Sequence, residues 1–300
     1  MSLPPVSVIV CTRNRPGFVH DTIASIARGD TVPAEIVVVD QSDLPDDELA
    51  SMAIDGCDVV YRHVTPRGVS AARNEAIAIS RHDVLVFVDD DVLVPETWFR
   101  ELVSALVRHG DHAVVTGQVR EGDPEVPGGW APSVMTDPEP TVHRGRVGHD
   151  PLYPNSMALH RSAVADAGPY DERLGPGRPR FPAGEDNDFA YRLLEAGYAI
   201  HYEPAAIVHH RAWRPPSDFL RLKWQYGRGQ GGFYGKHVWL GDRHVLWRLV
   251  RDTGSLGRRA LRDLPRSRRA SAGHLVFLGG MLSAFAEWSA TRRRDPRPTA

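Results

Sequence analysis

The sequence predicts an α/β fold: an open, mostly parallel sheet with helices on both faces, followed by a C-terminal helical extension. Three observations carry this expectation. In the first 120 residues, short β-branched runs alternate with stretches whose apolar residues recur at three- and four-residue spacing. The runs are nearly continuous in apolar character, as strands buried on both faces of a parallel sheet require. After Pro215-Pro216 the strand pattern stops, and helix-like periodicity continues alone.

Strands are expected at residues 6–11, 35–40, 58–63, 84–89 and 113–119, with helices between them at 17–28, 69–80 and 97–109. In the last of these, Leu102, Ala105 and Leu106 share one face. Right-handed crossovers would wind such units into one sheet. Residues 121–154 are rich in Pro and Gly and read as a long loop, of a length that usually serves function. A strand follows at 155–160, a helix at 186–196 ended by Gly197, and one or two strands at 199–210 interrupted by Pro204. Helical stretches come at 219–226, 245–251 and 275–288. These signals divide the chain into a sheet domain, 1–215, and a basic, mainly helical extension, 216–300.

The 300 residues carry a formal charge of −2, with 42% hydrophobic and 25% charged residues, which excludes wholesale disorder and a polytopic membrane protein. Two cysteines, Cys11 and Cys57, make neither a disulfide framework nor a zinc-ligand set, so a reducing, cytoplasmic setting is expected. The start, MSLPPVSVIV, lacks the positive region of a signal peptide. The small net charge hides a split. From residue 243 onward thirteen Arg face four acids, a balance of +9 that leaves −11 for the first 242 residues. Within that basic part, residues 275–286 form an uncharged run of twelve, too short to span a bilayer. An apolar segment flanked by Arg suits the inner face of a cell membrane as a peripheral contact. Packing on the body, or on a second subunit in a homodimer, is the alternative.

Acids cluster where strands end. Asp40 closes IVVVD, and Asp89, Asp90 and Asp91 close VLVFVDDD. Ligands of open α/β sheets bind outside the carboxyl ends of strands, and carboxylates one residue apart can share a hard divalent cation. The competing reading is a solvated acidic turn. A second group, Glu185, Asp186 and Asp188 in GEDNDF, precedes a helix. Helix capping accounts for one such acid, and a general base for another. His209 and His210 end a strand, where an imidazole serves either structure or a metal. The run GRGQGG at 227–232 matches G-x-G-x-x-G but follows a helix-like segment, so it reads as a glycine-rich turn between helices and not a dinucleotide fingerprint.

Taken in order, SVIVCTRNRP, IVVVDQSD, RGVSAARNEAI, VFVDDDV, NSMALHRSAVADAGPYDE, GEDNDF and AAIVHH resemble the family 2 glycosyltransferases over residues 6–210. The resemblance implies the GT-A fold, a Rossmann-like open sheet. It places Thr12, Arg13 and Asp40 at the nucleotide base of a donor and Arg73 near the base and diphosphate. Asp89 matches the first acid of the D-x-D motif, with Asp90 beside it in the donor-binding set. Asp91, the last acid, and His210 (or His209, one residue away) would bind Mg²⁺ or Mn²⁺. Asp186 matches the catalytic base, with Glu185 and Asp188 in the acceptor site.

The implied reaction is metal-dependent, inverting transfer of one hexosyl or deoxyhexosyl unit from a nucleotide-diphosphate sugar to a hydroxyl acceptor, as in the building of cell-envelope polysaccharide. That acceptor would be a glycan, a lipid-linked molecule or a small molecule, and no nucleic acid is involved. The processive members of the family carry Q-x-x-R-W, whereas here Gly229 follows Gln225 and Arg228. A nucleotide-sugar-binding or scaffold protein without transfer activity is the alternative, since a fold does not fix a function.

Overall fold

A computed structural model describes residues 3–292. In chain order the elements are β1 (Val6–Thr12), α1 (Pro16–Ala27), β2 (Glu35–Asp40), α2 (Asp47–Ala50), β3 (Asp58–His63), α3 (Val69–Ile79), β4 (Val84–Asp89), β5 (Val92–Leu93), α4 (Trp98–His109) and β6 (Ala113–Glu121). There follow β7 (Thr141–His143), β8 (Ser156–His160), α5 (Arg161–Ala167), α6 (Glu185–Glu195), β9 (Ala199–His210), α7 (Phe219–Trp239), α8 (Arg243–Asp263) and α9 (Arg268–Arg292). Among the described residues two compact units result: one runs up to residue 170 and resumes at 189–214, and the other holds 171–188 and the chain from 215 onward.

The first unit is one sheet in the order β3-β2-β1-β4-β8-β6-β9-β5, with β7 also paired to β9. β1 to β4 run parallel, β8 runs antiparallel between β4 and β6, and β9 is parallel to β6. The alternation of side chains divides the core between the two faces of the sheet. Val6, Val8 and Val10 of β1 pack with Ile23 of α1 and Leu102 of α4. Ile9 packs on the other face with Ala76 of α3 and Phe189 of α6. Strands buried on both sides explain why the sequence shows unbroken apolar runs. Between β6 and β9 the register slips after Gly117, where Pro204 interrupts the ladder. The strand therefore continues as one element through the proline.

In the second unit the glycine-rich stretch is not a turn. It lies inside the 21-residue helix α7, and Gly227, Gly231 and Gly235 recur at four-residue spacing on one face. A Cβ at Gly227 would stand 2.1 Å from the Phe277 carbonyl oxygen of α9, and one at Gly231 would stand 2.1 Å from that of Met281. The glycines let two helix backbones touch, a contact that offsets their poor helix propensity. The sequence misleads here because glycine signals both turns and close approach. Among the described residues no helix is long and apolar enough to cross a membrane.

Candidate active site

β1 is flanked by β2 and β4, which the chain enters by crossovers in opposite directions, so the crevice of this open sheet lies at the carboxyl ends of β1 and β4. Register sets Cys11 beside Asp89 there. The three aspartates that follow diverge. Asp89 accepts from Asn155 Nδ2 at 2.6 Å and lies 3.5 Å from Arg73 Nη2. Asp90 turns back into the sheet, where it accepts from the Thr12 hydroxyl at 2.7 Å and from Arg15 at 2.9 Å. Asp91 meets Arg15 through one oxygen at 2.9 Å and His210 Nε2 through the other at 3.2 Å.

β5 and β9 bring Asp91 and His210 together. Their antiparallel pairing sets Val92 opposite His210, and Arg211 N–H donates to the Asp91 carbonyl at 2.8 Å. Because successive strand residues face opposite ways, His209 is directed away from Asp91. One donor atom each from Asp89, Asp91 and His210 lie within 4.8 Å of one another. Two carboxylates and one imidazole, gathered from two strand ends and largely out of water, suit a divalent cation, and the oxygens favour Mg²⁺ or Mn²⁺. His210 Nδ1 is buried and makes no hydrogen bond, so the ring is held through Nε2 alone.

The electrostatics follow from burial and neighbours. Burial, with Asp91 adjacent, raises Asp90 to about 6 against the pull of Arg15 and Thr12. Burial also opposes ionisation of Asp91, but His210 and Arg15 outweigh it and hold this carboxyl well below the usual range. His210 is raised, since the carboxylates of Asp91 and Asp89 more than offset its burial.

Around this group, Asp40 is buried at the end of β2, accepting from Tyr61 Oη and the Ser42 N–H, each at 2.8 Å. Arg73 is buried on α3 with its guanidinium 5.2 Å from the Tyr170 ring centre, and it lines a small recess with Cys11, Asp89 and Pro154. Arg13 is exposed. Gln41 ties the turn before α3 by accepting from the Gly68 N–H at 3.0 Å. Of the residues expected at the donor, Asp89 and Arg73 stand together, while Thr12 and Asp90 bind each other. Arg15, Asn155, Gln41 and Tyr61 are not singled out by the sequence. Arg15 and Asn155 lie inside the quoted motifs TRNRP and NSMALH, but the sequence does not reveal that a side chain will turn toward Asp91 or Asp89.

The second acidic group occupies the first turn of α6, where the unpaired N–H groups favour negative charge. Glu185 is 4% exposed, Asp186 is partly exposed and Asp188 is fully buried. Asp188 takes Lys236 at 2.7 Å and His237 Nε2 at 2.8 Å, both from α7, so its carboxylate is engaged inside the second unit. Asn187 Nδ2 donates to Gln230 Oε1 at 2.7 Å. Gly184 has φ +87°, and a Cβ there would stand 2.5 Å from the Gly229 carbonyl oxygen, so only glycine admits this entry into the helix.

A family model described as Glycosyl transferase family 2 matches residues 7–167. The chain is 27% identical over 278 residues to the Pre-mycofactocin glycosyltransferase of Mycobacterium tuberculosis, covering 85% of this chain and 54% of that protein. It thus spans about half the length of that relative. It is 27% identical over 229 residues to the Succinoglycan biosynthesis protein ExoM of Rhizobium meliloti, covering 73% of this chain and 70% of ExoM. In fold it is similar to the mannosyltransferase PcManGT of Pyrobaculum calidifontis, solved in complex with GDP-Man and Mn²⁺. The TM-score is 0.54 at 15% identity, over 99% of this chain and 77% of that one. The shared fold is GT-A.

Proposed function

Since the chain belongs to glycosyl transferase family 2, we propose that it transfers a single sugar from a nucleotide-diphosphate donor to a hydroxyl acceptor, with inversion and with a divalent cation. The observation that carries this reading is the convergence of Asp89, Asp91 and His210 at the carboxyl end of β4, beside Arg73. These three residues would hold Mg²⁺ or Mn²⁺, which when bound stabilises the charge of the departing diphosphate. The GDP-Man and Mn²⁺ bound by PcManGT support a donor and cation of this kind.

The chain's own residues supply the rest. Arg73 presents its guanidinium to the diphosphate, a bidentate partner for phosphate oxygens. Asp40 and Arg13 bind the nucleotide base, with Tyr61 and the Ser42 N–H orienting the Asp40 carboxylate. Thr12 and Asp90 act as a tie between β1 and β4 that positions Asp89 and Asp91. Asp186, partly exposed on the first turn of α6, takes the proton of the acceptor hydroxyl as it attacks, and Glu185 supports it. Attack opposite the leaving group inverts the anomeric centre. Asp188, committed to Lys236 and His237, positions the segment that carries Asp186.

The acceptor is a glycan or a lipid-linked molecule met in the cytoplasm or at the inner face of the cell membrane. A thermal-shift panel of nucleotide sugars with Mn²⁺ tests the donor assignment, because a ligand of the native state raises its melting temperature. A rise with one nucleotide sugar that vanishes on chelation is expected. No rise with any of them would overturn it.

A further inference from the structure

We propose that α8 is an interfacial helix that seats the protein on an anionic phospholipid surface. The apolar run at 275–286 has its inner side committed elsewhere: within α9, Met281 and Ala284 are buried, with Met281 against Gly231 of α7. Leu275 and Leu282 of that run are exposed, but the longer line of exposed apolar side chains is on α8 and at its end. Leu246, Trp247, Val250, Leu261 and Leu264 are all exposed, Val250 at 65% and Leu261 at 75%. At 3.6 residues per turn, 246, 250, 257, 261 and 264 fall on one line, with Trp247 at its edge. The residues that α8 buries, Val245, Arg248, Leu249 and Ala260, lie on the flank of the helix away from Trp247.

Charge names the occupant. Arg243 lies within the apolar line, Arg258 and Arg262 follow its flank, and Arg266 and Arg268 extend it past the helix end, all exposed. Arg251 lies on the same flank with its guanidinium 4.9 Å from the Trp247 ring centre. The two acids of α8 are tied both to neighbouring helices and to this flank: Asp252 accepts from Tyr234 Oη of α7 at 2.5 Å and from Arg251 at 2.6 Å, and Asp263 meets His274 of α9 at 3.1 Å and Arg262 at 2.9 Å. The rim's charge in excess of its acids therefore comes from Arg243, Arg258, Arg266 and Arg268. A narrow apolar stripe with an aromatic edge and a rim of net positive charge lies flat in the headgroup region of an anionic bilayer. A second copy fits this face poorly. Antiparallel two-fold pairing would set the net-positive flank of one copy against the same flank of the other.

The test uses the full chain and vesicles of phosphatidylglycerol mixed with phosphatidylcholine, against phosphatidylcholine alone. Sedimentation with the anionic vesicles only, weakened by salt, is expected. The triple variant Leu246→Glu, Val250→Glu, Leu261→Glu should bind at least tenfold more weakly while keeping the wild-type melting temperature, since all three side chains already face water. The charge variant Arg258→Gln, Arg262→Gln should lose binding in part and show a shallower salt dependence. Equal sedimentation of wild type and triple variant, or none with the anionic vesicles, would overturn the proposal. So would a concentration-dependent dimer by light scattering that the triple variant abolishes while no lipid binding is seen. None of these outcomes depends on sugar transfer, so this proposal fails or stands apart from the catalytic one.

Discussion

Asp91, between β4 and β5, and His210, at the end of β9, meet carboxylate to imidazole at 3.2 Å. That pairing exists because β5, only two residues long, lies antiparallel to the end of β9. Asn155 stands beside two of the three groups proposed to hold the cation, 2.6 Å from Asp89 and 3.4 Å from His210 Nε2. Asn155→Ala should therefore weaken Mn²⁺ binding by about tenfold or more, in the range typical for a lost supporting partner, and His210→Ala should weaken it further. Titration of free Mn²⁺ by electron paramagnetic resonance reads both. Unchanged affinity in His210→Ala would remove the histidine from the site.

Asp186→Asn should leave donor binding intact and lower kcat by about 10²–10⁴, the usual contribution of a positioned general base. Calorimetric donor titration and initial rates, taken on the same preparation, separate the two effects. A variant with near wild-type kcat would exclude Asp186 as the base.

The second unit should lose stability in acid in a defined window. Asp171 is mostly buried, which opposes its ionisation, but Arg173 and Lys236 outweigh that and lower it from 3.8 to about 2. A carboxyl depressed in the folded state stabilises it above the unfolded value, and that contribution disappears as the pH falls from about 4 through about 2. It amounts to about 2 kcal/mol. Urea midpoints across the acid range should fall less steeply for Asp171→Asn than for the wild type.

Glycine has two meanings in the helical unit, and substitution tells them apart. Gly231→Ala would force its new methyl to 2.1 Å from the Met281 carbonyl oxygen, so α7 and α9 must separate. A cost of about 1–3 kcal/mol is expected, as for an overpacked core. A methyl group at Gly257 of α8 would meet nothing within 4 Å, and the backbone there has no left-handed φ, so Gly257→Ala should gain about 0.5–1 kcal/mol. Chemical denaturation of the two variants checks the sign of each.

The sheet was legible because its inner strands are buried on both faces, so β1, β2 and β4 stand out as apolar runs. Asp89, Asp91 and His210 were legible for a related reason: each closes such a run, and strand ends in an open sheet face the ligand. The partners that hold them were not. Arg15 reaches Asp90 and Asp91, and Asn155 reaches Asp89, from segments far away along the chain, so neither contact leaves a periodic trace. β7 escaped because three residues in a Pro- and Gly-rich stretch carry no alternation; pairing with β9 makes it a strand. The length of α7 escaped because propensity speaks against a helix with so many glycines, and only the packing of α9 reverses that.

The most direct test of metal-dependent transfer is donor turnover by the wild type and by Asp91→Asn, each with Mn²⁺ and with a chelator. Loss of this carboxylate should remove several kcal/mol of transition-state stabilisation, about 10²–10³ in rate or more. The wild type should turn over a nucleotide sugar with Mn²⁺ and stop on chelation, and Asp91→Asn with Mn²⁺ should be no faster than the chelated wild type. Wild-type turnover undiminished by the chelator, together with an active Asp91→Asn, would contradict it.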